Sequence, residues 1–139
     1  MTRSEIRECA FIILFQMEFN DYDLPELIEV NEESFGIETD NAVFSIINGV
    51  RENKDKLDAA IAEYSKTRSV GRIAKINITI LRIAVYEMLY CDNVPPKAAI
   101  NEAIELSKKY GGENDKGFIS GLLGSFYREN YEKDGKQNE

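Results

Sequence analysis

The feature that most constrains this chain is a run at residues 77–90 that is apolar on nearly every side of a helix. The run reads NITILRIAVYEMLY, and its polar residues Thr79, Arg82 and Tyr86 fall on one narrow stripe. A helix of this kind belongs at the centre of a bundle. The β-branched residues at 76–80 make a strand conceivable, but the apolar spacing continues with a helical period and no partner strand follows. We therefore predict an all-α chain with a central helix.

Caps and helix-breaking residues predict six further helices. Thr2 and Glu5 form a capping-box pattern that begins the first helix. The clearest helix lies between Pro95–Pro96 and Gly111–Gly112, because proline is favoured in the first turn and glycine just past the last. The other helices are predicted from Pro25 to about Val30, after Thr39 or Asp40, around Leu57–Tyr64, and after Asn114 or Asp115.

The length and cysteine content indicate one domain in a reducing compartment. A chain of 139 residues can bury its own core, and we expect a single domain over 1–131 followed by a frayed polar tail, 132–139. Cys9 and Cys91 stand far apart among apolar residues, which predicts buried free thiols and a cytoplasmic location. The N-terminal apolar stretch carries glutamates and no cleavage pattern, so we expect neither a signal peptide nor a membrane span.

The residue inventory offers no catalytic arrangement. The chain contains no histidine, the side chain most used for proton transfer near neutral pH. It also lacks the glycine-rich phosphate-binding motifs and the GxSxG nucleophile motif. We therefore expect a protein that is not an enzyme and that needs no cofactor and no metal.

The charge is unevenly distributed along the chain. The net charge of −8 argues against general adhesion to nucleic acid or to an anionic membrane. Between Glu8 and Val50 there is no lysine or arginine, whereas the stretch from Ser65 to Arg82 has no carboxylate. The cations of that second stretch are Lys66, Arg68, Arg72, Lys75 and Arg82. One region can therefore meet an anion while another repels it.

Two places could contact phosphates. Arg3 and Arg7 are four residues apart and share one side of the first helix, where they form either a solvated face or a phosphate grip. The loop over 111–116 leads into a helix N-terminus, whose free N–H groups attract anions. Lys108 and Lys109 just upstream could complete a phosphate-contact rim with this loop.

Two further side chains have a structural and a functional interpretation. Phe118, beside Lys116, could pack in the core or stack on a nucleobase. Arg82, on an almost wholly apolar helix, must reach an internal carboxylate, solvent or a partner. Spacing alone favours the structural interpretation for both.

Four segments together resemble the NusB family of transcription antitermination factors. They are RECAFIILFQMEF at 7–19, RIAKINITILRIAVYEML at 72–89, VPPKAAINEAIELSKKYGG at 94–112 and FISGLLG at 118–124. The resemblance follows nearly the whole chain in order and is weakest over the acidic residues 20–40. It implies a compact bundle of about seven helices in two packed sub-bundles.

The resemblance also implies a role without covalent chemistry. Members of the family bind boxA, a short single-stranded element of ribosomal RNA leaders, jointly with the small-subunit ribosomal protein NusE. The pair helps to load other Nus factors onto RNA polymerase, so that ribosomal RNA is transcribed to completion. Some members also form homodimers.

Site residues follow from the resemblance position by position. The RNA-binding positions that it implies are Arg3, Arg7, Gly112, Asn114, Asp115, Lys116 and Phe118, to which the charge beside the loop adds Lys108 and Lys109. The NusE-binding positions are Asn77, Arg82 and Tyr86. The chain departs from the family in having fewer N-terminal arginines, and in carrying Asn77 where an acid is common. We therefore expect RNA binding to be cooperative with a basic protein partner.

Two alternatives remain at this point. The thin arginine cluster and the negative charge also fit a protein–protein scaffold with little RNA binding of its own. The same fold occurs as the N-terminal domain of rRNA cytosine methyltransferases, but no cofactor-binding strand pattern follows here. Replacing Arg3 and Arg7 by alanine separates the first alternative from RNA binding.

Overall fold

Every regular element of the described chain is helical. A computed structural model describes residues 1–19, 21, 23–66 and 68–132. Its α-helices are α1 (Arg3–Gln16), α2 (Leu24–Phe35), α3 (Asn41–Glu52), α4 (Lys54–Tyr64), α5 (Lys75–Tyr90), α6 (Pro96–Tyr110) and α7 (Asp115–Tyr127). A short 3₁₀ helix, Val70–Arg72, precedes α5, and a π-helical turn, Arg128–Glu132, follows α7. The predicted all-α class with about seven helices is confirmed.

The helices fall into two compact units that divide between Asn53 and Lys54. In unit 1, α1 packs against both α2 and α3. In unit 2, α5 packs against α4, α6 and α7, and α7 also contacts α4 and α6. Of the tail predicted over 132–139, Glu132 ends the π-helical turn and the other residues lie outside the described part of the chain. No helix within the described ranges has the length and apolarity to cross a membrane.

Local capping explains where α1 and α3 begin. The Thr2 hydroxyl accepts a hydrogen bond from the Glu5 backbone N–H at 3.1 Å, and the Glu5 carboxylate accepts one from the Thr2 N–H at 2.9 Å. This is the reciprocal capping box that the sequence predicts. Asp40, and not Thr39, caps α3, because its carboxylate accepts the Val43 N–H at 3.0 Å.

Helix α2 is longer than predicted. It continues past Val30 to Phe35 and ends at Gly36, whose φ of 64° is in the left-handed region. Glycine adopts this conformation without the steric cost that a Cβ brings, so it is a common helix terminator. The acidic sequence of α2 weakens its apolar pattern, which explains why the pattern alone ends it too early.

Helix α5 is buried on every side over most of its length. Ile80, Leu81 and Val85 have no exposed surface. Two of the three residues of the predicted polar stripe are also buried, with Thr79 only 2% exposed and Arg82 7% exposed. Buried polar groups need hydrogen-bond partners inside the protein. The Thr79 hydroxyl meets this need by donating to the Lys75 carbonyl at 2.7 Å.

Arg82 forms a two-point ion pair with Asp58 of α4. Arg82 Nε donates to Asp58 Oδ1 at 2.8 Å, and Nη2 donates to Oδ2 at 3.0 Å. The parallel geometry is the strong form of an arginine–carboxylate contact. It is the internal carboxylate pair that the sequence favours.

The ion pair should matter for stability. Asp58→Asn leaves the buried Arg82 guanidinium with a neutral partner, and we expect the free energy of unfolding to fall by about 2–3 kcal/mol. Asp55→Asn, in the exposed first turn of the same helix, should change it by no more than about 0.5 kcal/mol. Urea unfolding followed by circular dichroism measures both values. Equal effects of the two substitutions would contradict the assigned role of the pair.

Candidate nucleic-acid interface

The loop between α6 and α7 begins at a glycine that cannot be replaced without a shift. Gly111 donates its N–H to the Ser107 carbonyl at 2.8 Å, which ends α6. A Cβ added at Gly111 would lie 2.9 Å from that same carbonyl oxygen. The next residue, Gly112, has more room, since its nearest contact for a Cβ is Asp115 Oδ2 at 3.4 Å. The loop therefore leaves α6 along a path that requires a bare backbone at its first residue.

Asp115 ties this loop to the central helix. Its Oδ2 accepts the Gly112 N–H at 2.7 Å, and its Oδ1 accepts Nδ2 of Asn77 from α5 at 3.1 Å. Asn114, the residue before α7, makes no side-chain capping bond. The carboxylate of Asp115 thus does two things at once: it closes the loop and anchors it to a buried side chain. We call the bonded set of Asp115, Gly112 and Asn77 the Asp115 brace.

The Asp115 brace favours the ionised carboxylate. The hydrogen bond from the Gly112 N–H, then the bond from Asn77, hold the pKa of the Asp115 carboxyl below its usual value. The positive charge of Arg68 lowers this pKa further. One consequence corrects the sequence analysis: the Gly112 N–H is bonded to the chain's own carboxylate, so it is not free to bind a phosphate. Phosphate contacts here must come mainly from side chains.

Asn77 lies beneath the loop rather than on the surface. The sequence places it among the partner-binding residues, but its side chain has no exposed surface. Its Oδ1 and the hydroxyl of Ser107 are buried without a hydrogen-bond partner within the described residues. Asn77 therefore cannot contact a partner protein directly. Its effect on the surface is to hold Asp115 and the loop in place.

An arginine that the sequence analysis does not assign stands over Phe118. The guanidinium carbon of Arg68 lies 4.6 Å from the centre of the Phe118 ring, a cation–π contact. The ring is half-buried and Arg68 is exposed. The Ser65 hydroxyl, which donates to the Arg68 carbonyl at 2.6 Å, fixes the backbone at this arginine. The carboxylate-free stretch from Ser65 to Arg82 is the sequence signal that could have pointed to Arg68.

The lysines of the predicted rim differ in their surroundings. Lys108 forms an exposed ion pair with Glu105 at 3.2 Å, so part of its charge is compensated. The Lys109 ammonium lies 5.7 Å from the centre of the Tyr110 ring. Lys116 is exposed in the first turn of α7. Lys116 lies two residues before Phe118 in the sequence. Arg68 contacts the Phe118 ring from another part of the chain.

The remaining predicted residues lie elsewhere. Arg3 and Arg7 belong to unit 1, where Arg3 is exposed but Arg7 is only 4% exposed. Arg7 is thus not part of a solvated face. Of the predicted partner-binding residues, Arg82 is buried against Asp58, and Tyr86 is half-buried with its ring 5.7 Å from that of Tyr90. Only Tyr86 of this group lies near the surface.

The chemistry of the loop region suits binding rather than catalysis. It combines two exposed cations, a partly exposed aromatic ring and a backbone fixed by the Asp115 brace. In the part of the chain that the structure describes, no group of three or more cysteine, aspartate or glutamate side chains is arranged to hold a metal ion.

The space at Gly111 gives a test of the loop path. We expect Gly111→Ala to lower the free energy of unfolding by about 1–2 kcal/mol, because the new Cβ is forced against the Ser107 carbonyl. Gly112→Ala is the matched control and should cost less, since its Cβ makes an ordinary contact. Thermal and urea unfolding of both variants compare the two costs. A larger cost at Gly112 would show that the loop follows another path.

The Asp115 brace should respond to pH. Because the folded pKa of Asp115 lies below its ordinary value of 3.8, the stabilisation is complete above that value and is lost as the pH falls through the lowered pKa. The Gly112 amide resonance, followed by ¹H–¹⁵N NMR, should therefore titrate with a midpoint below 3.8. Asp115→Asn should abolish this titration. A midpoint above the ordinary value in the wild-type protein would contradict the brace.

Comparison with known proteins identifies the family. The family model described as the NusB family matches residues 4–128. The transcription antitermination protein NusB of Clostridium novyi is 36% identical over 132 residues, which cover 92% of this chain and 99% of that protein. The NusB protein of Lactiplantibacillus plantarum is 43% identical over 129 residues, covering 89% and 93% of the two chains. Both relatives are transcription antitermination proteins.

Solved structures agree with this result. The structure of T. maritima NusB matches with a TM-score of 0.82 and 32% identity, covering 99% of this chain and 98% of that one. A complex described as the antitermination factors NusB and NusE with dsRNA contains a chain with the same fold, at a TM-score of 0.79 and 22% identity over 91% of this chain and 96% of that one. The family match over nearly the whole chain, together with the shared fold, shows that this protein belongs to the NusB family of transcription antitermination proteins.

Proposed function

We propose that this protein is an antitermination factor that binds boxA-type single-stranded leader RNA of ribosomal RNA operons together with ribosomal protein NusE. The RNA-binding surface in unit 2 consists of Lys116, Phe118 and Arg68, which lie beside the loop that the Asp115 brace anchors. We call these three side chains the RNA platform. The complex acts in the cytoplasm and engages other Nus factors and RNA polymerase, so that ribosomal RNA is transcribed to completion.

The observation that carries the proposal is the contact of Arg68 with Phe118 beside the braced loop. An arginine plane and an aromatic ring are the groups on which unpaired bases stack in RNA-binding proteins. The Phe118 ring is partly exposed, and the Arg68 guanidinium that lies over it is on the surface. A base can stack on the outer face of the guanidinium or replace it on the ring. Stacking requires an unpaired base, which favours single-stranded RNA.

The comparisons support the identity of the partners. A complex of NusB and NusE with dsRNA has been solved for a chain of this fold. Family membership makes the same partners the first candidates for this protein. The proposal differs from that complex in the strandedness of the RNA, for the stacking reason given above.

The charge distribution explains why two proteins are needed. Phosphate contacts dominate the affinity of most RNA-binding proteins, and a chain of net charge −8 repels RNA outside a few cationic places. Arg7 is buried and Lys108 is paired with Glu105, which leaves a small cationic surface. A basic partner such as NusE adds positive charge to the same RNA. Binding should therefore be cooperative.

The remaining predicted residues belong to the proposal in different ways. Lys109 and Asn114 are exposed and border the RNA platform along the chain. Arg3 is exposed in unit 1, where it would contact a phosphate of the RNA independently of the RNA platform. Tyr86 is the near-surface residue for NusE, whereas Arg82 is buried against Asp58 and Asn77 supports the loop before α7 through Asp115. One domain over 1–131 and a possible homodimer through the RNA-facing side remain predictions.

The test is a titration of a boxA-type RNA with and without NusE. We expect the RNA to bind at least about tenfold more tightly with NusE, since the second protein adds phosphate contacts. Phe118→Leu keeps an apolar side chain but removes the stacking surface, and should weaken binding by about tenfold. Lys116→Ala should lower the salt slope by about 0.7, the share of one single-strand phosphate contact.

Lys56→Ala is the matched control, because Lys56 is exposed in the first turn of α4, at the end of that helix away from Arg68. It should leave the salt slope unchanged. Equal affinities with and without NusE would refute cooperative binding. If neither Phe118→Leu nor Lys116→Ala changed RNA affinity while NusE still bound, the protein would be a scaffold for its partner instead.

A further inference from the structure

Unit 1 contains a groove between α1 and α2 that the RNA-binding proposal does not use. Its volume is about 420 Å³, within the range of sites that accept one or two large side chains. The residues that matter for its chemistry are Gln16, Asp23, Glu26, Val30, Asn31 and Phe35. We call it the α1–α2 groove.

The floor of the α1–α2 groove is preformed by a reciprocal pair of amides. Gln16 Nε2 donates to Asn31 Oδ1 at 3.1 Å, and Asn31 Nδ2 donates to Gln16 Oε1 at 2.7 Å. Asn31 Nδ2 also donates to the Leu27 carbonyl at 2.8 Å, and Asn31 has no exposed surface. Because these bonds join α1 to α2, the groove keeps its shape without a ligand.

The wall of the α1–α2 groove exposes two large apolar side chains. Val30 is 47% exposed and Phe35 is 68% exposed. Single apolar side chains at a surface are common, but two that line one groove form a patch that another apolar group can cover. Covering them would remove their surface from water, which is favourable.

The rim of the α1–α2 groove is acidic. Asp21, Asp23 and Glu26 line it. No lysine or arginine occurs between Glu8 and Val50, so no cation from this stretch compensates the rim. An apolar wall with such a rim fits a ligand of the opposite charge with an apolar centre. The same rim repels the phosphates of RNA.

We propose that the α1–α2 groove binds a cationic segment of a partner protein that inserts a large apolar side chain between flanking lysines or arginines. The apolar side chain covers Val30 and Phe35, and the flanking cations lie against the acidic rim. The groove shares no residue with the RNA platform, because the groove belongs to unit 1 and all three platform residues belong to unit 2. The proposal therefore goes beyond RNA binding and can fail without it.

Fluorescence anisotropy with the full chain tests the proposal. The probe is a short labelled peptide with a central Phe–Leu pair flanked on both sides by lysine and arginine, and its control has Ser–Ser at the centre and the same charge. We expect the Phe–Leu peptide to bind at least about tenfold more tightly than the Ser–Ser peptide. Equal binding of the two peptides overturns the proposal, because it shows attraction by net charge alone.

Matched double variants locate the site. Val30→Ser with Phe35→Ser should weaken binding of the Phe–Leu peptide at least about tenfold, whereas Leu89→Ser with Tyr90→Ser should change it less than about twofold. Leu89 and Tyr90 are exposed apolar residues of unit 2, 42% and 43% exposed, so the two pairs have similar surface character. Equal loss in both pairs overturns the proposal. Circular dichroism confirms that each variant is folded.

A second pair of double variants tests the rim, with the same change of net charge in both. Asp23→Asn with Glu26→Gln should weaken peptide binding more than Glu52→Gln with Glu63→Gln, which removes the same charge from exposed positions outside the groove. Identical effects would show that the acidic rim has no specific role. If boxA-type RNA, added without the peptide, shifted the ¹H–¹⁵N NMR signals of the residues that line the groove, the groove would be a nucleic-acid site and the proposal would be overturned.

Discussion

The burial of α5 is the constraint on which the rest of unit 2 depends. A helix surrounded by apolar neighbours has no water to solvate its polar side chains, so each of them must be bonded within the protein or cost free energy. Arg82 meets this requirement through Asp58 of α4, and Asn77 meets part of it through Asp115 at the start of α7. The central helix thus determines both how α4 packs and where the loop before α7 is anchored.

The anchored loop has a functional consequence. Asp115 occupies the N-terminus of α7 with a negative charge, a position where a phosphate could otherwise bind. The proposed RNA platform consequently depends on side chains beside the loop, namely Lys116, Arg68 and the ring of Phe118. A platform of this size on an acidic protein gives limited affinity by itself, which is consistent with a protein that binds RNA in company with a basic partner.

Local rules predicted the ends of most helices, because a cap or a breaker acts within a few residues. Thr2 with Glu5, Asp40, and the prolines and glycines around α6 are examples. Contacts between distant residues could not be predicted in this way. Asn77 and Asp115 are 38 residues apart, and the stacking of Arg68 on Phe118 depends on how the chain after α4 meets α7. The burial of Arg7 is equally a tertiary effect that helical spacing does not reveal.

The central claim is that RNA meets this protein at the surface built on the Asp115 brace. The most direct measurement is ¹H–¹⁵N NMR of the labelled protein, bound to unlabelled NusE, as a boxA-type RNA is added. The largest shifts should occur at residues 111–118 and around Arg68, with the amides of α2 unchanged. Shifts confined to other parts of the chain, or no shifts at saturating RNA, would contradict the account.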